Sequence, residues 1–345
     1  MNVKTKILNS KNSKHIKLAV KILKEKRLVA FPTETVYGLG AISTSESSIL
    51  NIFKVKNRPL NNPLIMHVTS VDQVLKIFDI NHKNIDKQII LNRLLKLSKD
   101  YWPGPLSIVS YKKQYISDII TGNLNKVAVR IPSNKVVFNI ISLLKIPIVA
   151  PSANIFCRPS PTSVSHVLKT LNGKIDAVID GGICFYGIES TVIDISSKNP
   201  RVLRLGVITI KEISKTLKEH VLYNSTLFNP DFFCSPGMLS KHYSPKIEHI
   251  VLCDKNKLKN AWINGSPVLL KKQSAILLKK KYGERLASSI TEILPNTAYG
   301  IARELYASFY RLEEKNIKNL FVEKFFKDLS GAWGAIIDRI LRAAS

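Results

Sequence analysis

Phe31–Gly40, FPTETVYGLG, sets small, hydroxylated and acidic residues between two apolar walls. Before it, Leu28–Phe31 (LVAF) has the apolar, β-branched and aromatic content of a buried strand. After it, Ser43-x-x-Glu46 spells a capping box ahead of a helix with Ile49, Ile52 and Phe53 on one face. The stretch therefore predicts a strand-to-helix turn. Pro32 removes a backbone donor and fixes φ, Gly38 and Gly40 permit a close fold-back, and Thr33, Glu34 and Thr35 are left presenting oxygens at the edge of a sheet. One polar loop is weak evidence of function by itself, so its meaning depends on its neighbours.

On the N-terminal side, Ile16, Ala19, Val20 and Leu23 recur at helical spacing over residues 14–26. On the C-terminal side, Lys54–Pro63 (KVKNRPLNNP) carries three cations and two prolines, which predicts a stiff loop with its cations turned outward. Leu64–Val68 is strand-like and contains His67, whose plainest reading is a hydrogen-bonded core histidine. Ser70-x-x-Gln73 then caps a helix, and residues 84–99 form an amphipathic helix stopped by Trp102-Pro103-Gly104-Pro105 before a strand at Leu106–Ser110. Val127–Pro132 (VAVRIP) is too apolar for an exposed edge yet contains Arg130. A buried guanidinium needs an anion, from the protein or from a ligand.

A helix at 134–144 leads to the Ile146–Ala150 strand, which runs into Pro151-Ser152-Ala153-Asn154 and then Arg158–Thr162 (RPSPT). Small polar groups at the C-terminal end of a strand are where α/β sheets bind ligands. Asp176–Asp180, Val192–Ile195 after Glu189-Ser190-Thr191, and Arg201–Leu205 with Arg204 complete a mixed sheet. Thr209-x-x-Glu212 caps a helix, after which periodicity fades over 221–246. Ser235–Met238 (SPGM) and Lys241–Pro245 (KHYSP) read as two ordered contact points in a linker. From Ile247 a second α/β pattern begins, with strands expected at Ile250–Leu252, Val268–Leu270, Ala275–Leu278 and Asn319–Val322. Helices are expected near 297–313 and at Gly334–Ala344. The expected organisation is an α/β domain at 1–208, a linker at 209–246 and a C-terminal α/β domain at 247–345.

With 345 residues and 45% apolar content the chain can build two cores. The most apolar run, Val136–Pro151, is broken by Asn139 and Lys145 and is too short to span a membrane. The N-terminus has lysines but no apolar signal core, so a cytoplasmic location without membrane association is expected. Cys157, Cys184, Cys234 and Cys253 show no zinc-type spacing. The net charge of +27 leaves two readings open. One is a polyanion partner such as RNA. The other is compositional bias, because the lysines are scattered through a chain equally rich in Ile and Asn.

Taken in order, FPTETVYGLGA (31–41), KNRP (56–59), NPLIMHV (62–68), WPGPLSIV (102–109), VAVRIP (127–132), APSAN (150–154), RPSPT (158–162), ESTVIDIS (189–196) and RVLRLG (201–206) closely resemble the YrdC-like threonylcarbamoyl-AMP synthases. The His242-Tyr243 pair and the closing GAWGAIIDRILRAA (331–344) are similar to the long form. The resemblance implies an α/β fold, a YrdC-like twisted mixed sheet with flanking helices plus a smaller Rossmann-like C-terminal α/β domain. It also implies a reaction, in which L-threonine, bicarbonate or CO2 and ATP give threonylcarbamoyl-AMP and pyrophosphate for t6A modification of ANN-decoding tRNAs.

Carried over motif by motif, Thr35, His67, Arg130, Ala150 and Ser190 would line the threonine pocket. Lys56, Arg58, Asn62, Ser152, Asn154, Ser160, Arg204 and Tyr243 would hold ATP, with Lys56 and Arg58 neutralising charge in the reaction. The family's threonine four residues before the strand arginine is Lys126 here, which puts an ATP contact at that position in doubt. The further expectations are Mg2+ carried with ATP, no protein-bound structural metal, a tRNA-modifying transferase complex that uses the product, and weak RNA contact. A double-stranded RNA-binding module without catalysis is the rival reading of the same basic chain.

Overall fold

A computed structural model describes residues 4–84, 86–223, 242–284, 289–324 and 332–344. These divide between two units, residues 1–156 with 160–239 and residues 157–159 with 240–345. Along the first unit run β1 (Lys6–Asn9), α1 (Ser13–Lys24), β2 (Val29–Phe31), β3 (Gly38–Ile42), α2 (Glu46–Lys56), β4 (Ile65–His67), α3 (Val71–Ile77), α4 (Lys87–Tyr101), β5 (Leu106–Tyr111), α5 (Asp118–Thr121), β6 (Lys126–Arg130), α6 (Lys135–Leu144), β7 (Ile148–Val149), α7 (Val164–Leu171), β8 (Ala177–Asp180), β9 (Thr191–Asp194), β10 (Arg201–Arg204), α8 (Ile210–Leu217) and β11 (Leu222–Tyr223).

The FPTETVYGLG stretch is a strand–loop–strand unit, and in this it departs from the expected strand-to-helix turn. β2 and β3 pair antiparallel, with Val29 opposite Gly40 and Phe31 opposite Gly38. The two glycines are strand residues because the Phe31 ring lies across them. A Cβ on Gly40 would come within 2.4 Å of that ring and one on Gly38 within 3.0 Å. By propensity such glycines read as turn formers, whereas here they make room for a ring. The following helix opens two residues later than expected, with Ser45 as the capping residue accepting from the Ser48 amide.

Among the described residues the strands of this unit form one mixed sheet in the order β1-β8-β2-β3-β7-β4-β6-β5-β9-β10-β11. α1 and α6 cover one face near β1, β2 and β8, burying Ala19, Leu23, Ile140 and Ile141 against Val29, Phe31, Ala177 and Ile179. Full burial of such side chains is worth about 1.5–3 kcal/mol each, so packing rather than helix propensity holds α1. Ile65 on β4, Val109 on β5, Ala128 on β6 and Val192 on β9 form a second cluster. The β4–β6 register places Ile65 opposite Ala128 and His67 opposite Arg130. Because side chains two apart share a face, His67 and Arg130 continue that surface toward the ends of their strands. Ser107, two residues before Val109, lies on it as well.

Residues expected at the start of the linker are part of this unit. α8 has both halves of its capping box, with Thr209 Oγ1 accepting from the Glu212 amide and the Glu212 carboxylate accepting from the Thr209 amide. β11 pairs in parallel with β10. Arg93 of α4, almost fully buried, binds Glu219 at 2.5 Å and the carbonyls of Ile195, Ser197 and Lys198. SPGM (235–238) and Lys241 lie outside the described residues.

The second unit has strands β12 (His249–Cys253), β13 (Val268–Lys271), β14 (Thr291–Leu294) and β15 (Asn319–Glu323), all parallel, in the order β12-β15-β13-β14. Its helices are α9 (Lys255–Ile263), α10 (Lys272–Tyr282), α11 (Ala298–Glu313) and α12 (Trp333–Ala344). The strand expected at Ala275–Leu278 is instead the middle of α10, and the remaining strand is β14. A four-residue apolar run does not distinguish the two by period. Ile276 and Leu277 are exposed, so the run is not a buried strand. Tyr243 belongs to this unit, with its ring 5.7 Å from that of Tyr306 and the Arg339 guanidinium 5.0 Å above it.

Gly206, just after β10, packs against the segment that carries Ser190. A Cβ there would lie 2.3 Å from the Thr191 nitrogen and 2.6 Å from the Ser190 carbonyl carbon, and neither backbone atom can swing away. Gly206→Ala should therefore cost about 1–3 kcal/mol of stability in urea unfolding. A variant as stable as the parent would mean that this contact is looser than described.

Candidate active site

Arg130 is the centre of the site. The strand that buries it leaves only 4% of the residue exposed, so its charge has to be met by the protein. Three groups meet it: Glu34 accepts from Nη2 at 2.6 Å, Thr35 Oγ1 from Nη1 at 2.9 Å and the Gly104 carbonyl from Nε at 3.2 Å. The anion that the sequence requires is thus supplied by the loop between β2 and β3, next to the threonine expected in the site. That loop is fixed from several sides. Thr33 Oγ1 is 2.8 Å from Thr35 Oγ1 and donates to the Val36 carbonyl. The amides of Tyr186 and Gly187 donate to the carbonyls of Glu34 and Thr35.

Burial pushes the Glu34 carboxyl up, but the Arg130 guanidinium and two backbone amides outweigh it and hold the group below its usual 4.5. Burial and then the Arg130 charge push His67 the other way, down to about 3, so its imidazole is neutral near pH 7. His67 Nδ1 sits 3.1 Å from the Ile65 carbonyl. A carbonyl only accepts, so Nδ1 carries the proton and Nε2 is left as an acceptor.

The cations of the loop after α2 do not point outward as a group. Lys54 is exposed, while Lys56 is 1% and Arg58 7% exposed. Lys56 Nζ donates to the Ser152 carbonyl at 2.5 Å and to the Asn154 carbonyl, and the Phe156 amide donates back to the Lys56 carbonyl. Arg58 wraps its own loop, with Nε donating to the Asn62 carbonyl at 3.1 Å and Nη2 to Asn62 Oδ1 at 2.5 Å and to the Pro63 carbonyl at 2.8 Å. Its guanidinium lies 5.6 Å from the centre of the Phe156 ring. A sequence pattern places charge on the solvent side by default. What overrides this is the array of carbonyls at 152–154 and 62–63, which only the folded loops bring together.

Ser190 Oγ lies 2.8 Å from Ser107 Oγ and accepts from Arg204 Nη2 at 3.0 Å, while Arg204 Nε donates to the Ser190 carbonyl at 3.0 Å. Ser160 Oγ donates to Glu189 at 2.5 Å. The Ala150 amide donates to the Ile65 carbonyl, the Leu39 amide to the Pro151 carbonyl and the Tyr37 amide to the Pro161 carbonyl. Thr35, Lys56, Arg58, Asn62, His67, Arg130, Ala150, Ser152, Asn154, Ser160, Ser190 and Arg204 are thereby linked through neighbouring loops of one unit. Tyr243 is described with the other. Glu34, Ser107 and Glu189 are partners that the expected site lacked, although Glu34 and Glu189 each adjoin an expected residue and Ser107 follows from strand alternation. Lys126 pairs with Asp194 at 2.8 Å, 5.1 Å from the Tyr111 ring centre, so its charge is held by the protein.

The family model described as telomere recombination (Sua5, YciO and YrdC) matches residues 21–206, and the model described as the threonylcarbamoyl-AMP synthase C-terminal domain matches residues 208–345. The chain belongs to the threonylcarbamoyl-AMP synthase family. The threonylcarbamoyl-AMP synthase of Schizosaccharomyces pombe is 33% identical over 92% of this chain and 85% of that one; its Pyrococcus abyssi counterpart is 42% identical over 69% and 67%. The solved structure of P. abyssi Sua5 complexed with L-threonine is 32% identical, with a TM-score of 0.84 over 99% of this chain and 98% of that chain. A variant of the same protein with an adjacent His–Tyr pair changed to alanine gives 0.85 at 33% identity, over 99% and 96%. This chain has a His–Tyr pair at 242–243.

The depressed His67 value fixes a pH dependence. Unfolded, the imidazole titrates near its ordinary 6.5, so below that pH the unfolded state takes up a proton that the folded state refuses. The His67 contribution is then flat above 6.5 and falls as pH drops toward 3, while Glu34 adds a further loss only below 4.5. Between pH 6 and 5 the parent should lose roughly 1 kcal/mol more than His67→Gln in urea unfolding. Parallel profiles for the two proteins would show that the folded imidazole titrates normally.

Proposed function

We propose that this chain works in the cytoplasm, condensing L-threonine, bicarbonate or CO2 and ATP into L-threonylcarbamoyl-AMP and pyrophosphate, and passes the product to the enzymes that form t6A in ANN-decoding tRNAs. The observation that carries the reading is the buried Arg130, which meets Glu34 and Thr35 beside a neutral His67, with the Lys56 and Arg58 loop tied to the neighbouring 150–154 turn. Arg130 commits three of its five N–H groups to the protein. The other two are available to the carboxylate of an amino acid. His67 Nε2 and the hydroxyls of Thr35 and Ser190 are suited to the amine and the β-hydroxyl, with Ala150 as a small wall.

In this reaction the threonine amine adds to CO2, and a carbamate oxygen attacks the α-phosphorus of ATP as pyrophosphate leaves. Both reactants are anions, so the protein's main task is to neutralise charge and hold them in line. Lys56, Arg58 and Arg204 supply cations for the phosphates, and Asn62, Ser152, Asn154, Ser160 and Tyr243 complete the nucleotide contacts. Phosphate oxygens would take over carbonyl contacts that Lys56 and Arg58 now make, since a charged acceptor forms the stronger bond. With its value pushed down to about 3, His67 accepts a hydrogen bond and does not store a proton near neutral pH.

Among the described residues no three His, Cys, Asp or Glu side chains converge as a metal site, and Glu34 is committed to Arg130. On this reading Mg2+ would enter with the ATP substrate, held by its phosphate oxygens. Among the described residues no helix is long and apolar enough to cross a membrane.

Amino-acid selectivity tests the pocket. Serine keeps both hydrogen-bonding ends and lacks one methyl group worth roughly 0.8 kcal/mol, so it should be used several-fold less well than threonine in pyrophosphate release. Valine leaves the hydroxyl partners unpaired and should be discriminated against far more strongly. Equal rates for valine and threonine, or release without any amino acid, would mean that the pocket serves another ligand.

The two loop cations make a second test. Arg58→Ala and Lys56→Ala should each abolish most turnover. Because each cation also satisfies buried carbonyls, each variant should in addition lose about 1–3 kcal/mol of stability. A variant that is destabilised yet turns over at the parent rate would leave the cation a structural part only.

A further inference from the structure

Strand alternation gives β4 two chemistries. Ile65 and His67 face the site just described, and Met66 between them turns to the opposite face, 1% exposed. There Met66 lines a separate cleft of about 380 Å3 together with Ile77, Ile116, Ile120 and Pro147. This volume lies at the small end of the range for ligand pockets, and none of the candidate active-site residues lines it.

The walls are cross-tied. The Tyr115 hydroxyl donates to the Lys76 carbonyl, Ser117 Oγ to Glu46 Oε1 at 2.8 Å and the Lys113 amide to the Ile77 carbonyl at 3.0 Å. These bonds join α3 and the N-terminus of α2 to the 113–117 loop, so the cleft is formed before anything enters it. Gln73 Oε1 is likewise occupied, by the amide and hydroxyl of Thr69.

Two lining groups are left over. Lys76 and Lys145, exposed at the rim of the cleft, have no acidic partner among the described residues, while the one carboxylate of the lining, Glu46, already accepts from Ser117. An apolar floor beneath two unmatched cations selects by chemistry. A neutral apolar molecule would gain nothing from the two ammonium groups, a cation would be repelled, and a polyphosphate would strand its charge on Met66 and the isoleucines. We propose that this cleft binds a small amphipathic anion, with an aromatic or branched aliphatic body over Met66 and a single carboxylate or phosphate head paired with Lys76 and Lys145.

The sequence makes the floor observable. Its only three methionines are Met1, Met66 and Met238. In the full chain labelled with [methyl-13C]methionine, Met66→Leu identifies the floor signal. 1-Naphthoate is then titrated with ATP and L-threonine held in excess, so that the candidate active site is occupied. The Met66 methyl should shift saturably under the aromatic ring current. The apparent affinity should fall at least roughly tenfold in Lys76→Gln/Lys145→Gln and for the neutral 1-naphthalenemethanol, with Lys24→Gln unchanged. Thermal unfolding of the double variant checks that it is folded. A Met66 signal unmoved at millimolar naphthoate, equal affinity in the double variant, or equal affinity for the alcohol would overturn the assignment.

Discussion

Burying the charge of Arg130 is the constraint around which the catalytic half of the chain is organised. Moving a guanidinium out of water costs several kcal/mol, and only a close carboxylate with well-placed acceptors offsets it. Glu34 at 2.6 Å and Thr35 come from one loop and the Gly104 carbonyl from another, and both loops have to be delivered to one point on β6. The loop between β2 and β3 is therefore pinned by backbone bonds from Tyr186 and Gly187, and the WPGP turn holds its Gly104 carbonyl toward the strand. Removing one partner of such a pair costs about 3–5 kcal/mol. The interaction at the centre of the proposed carboxylate subsite thus also fixes the fold around it.

A second consequence is the electrostatic character of the site. Burial and then the Arg130 charge keep His67 neutral, while at Glu34 the same charge outweighs burial and keeps the carboxylate ionised. A neutral imidazole beside a compensated ion pair presents hydrogen-bonding geometry without adding charge. In the proposed reaction the positive potential that two anionic reactants need would be left to Lys56, Arg58 and Arg204, which would separate amino-acid recognition from phosphate neutralisation.

The sequence carried the type of most elements and the identity of the family, and it missed what tertiary contacts decide. β5 and β6 were legible because an apolar run bounded by turn residues has few other readings, and Arg130 was legible as a charge in need of an anion. The hairpin at 29–42 was not, since Gly38 and Gly40 look like turn residues until the Phe31 ring is seen lying across them. The inward direction of Lys56 and Arg58 was also hidden, because the carbonyls that hold Lys56 lie about a hundred positions away in the chain. Periodicity also failed for α10, where four apolar residues in a row fit a strand as well as a helix. Thr209 with Glu212 marked α8 correctly, whereas β11, two residues long, is too short to show a period.

The burial of Lys56 has a consequence for chemical reactivity. Acylating and methylating reagents attack the unprotonated amine and need access to it, and most of this chain's many lysines are open to solvent. Lys56 is 1% exposed, with its ammonium group held between two carbonyls, and it should be among the slowest amines on the chain to react. Any modification found there would report that the turn at 152–154 had opened, which makes Lys56 a built-in footprint for motion in a loop that carries no spectroscopic label of its own.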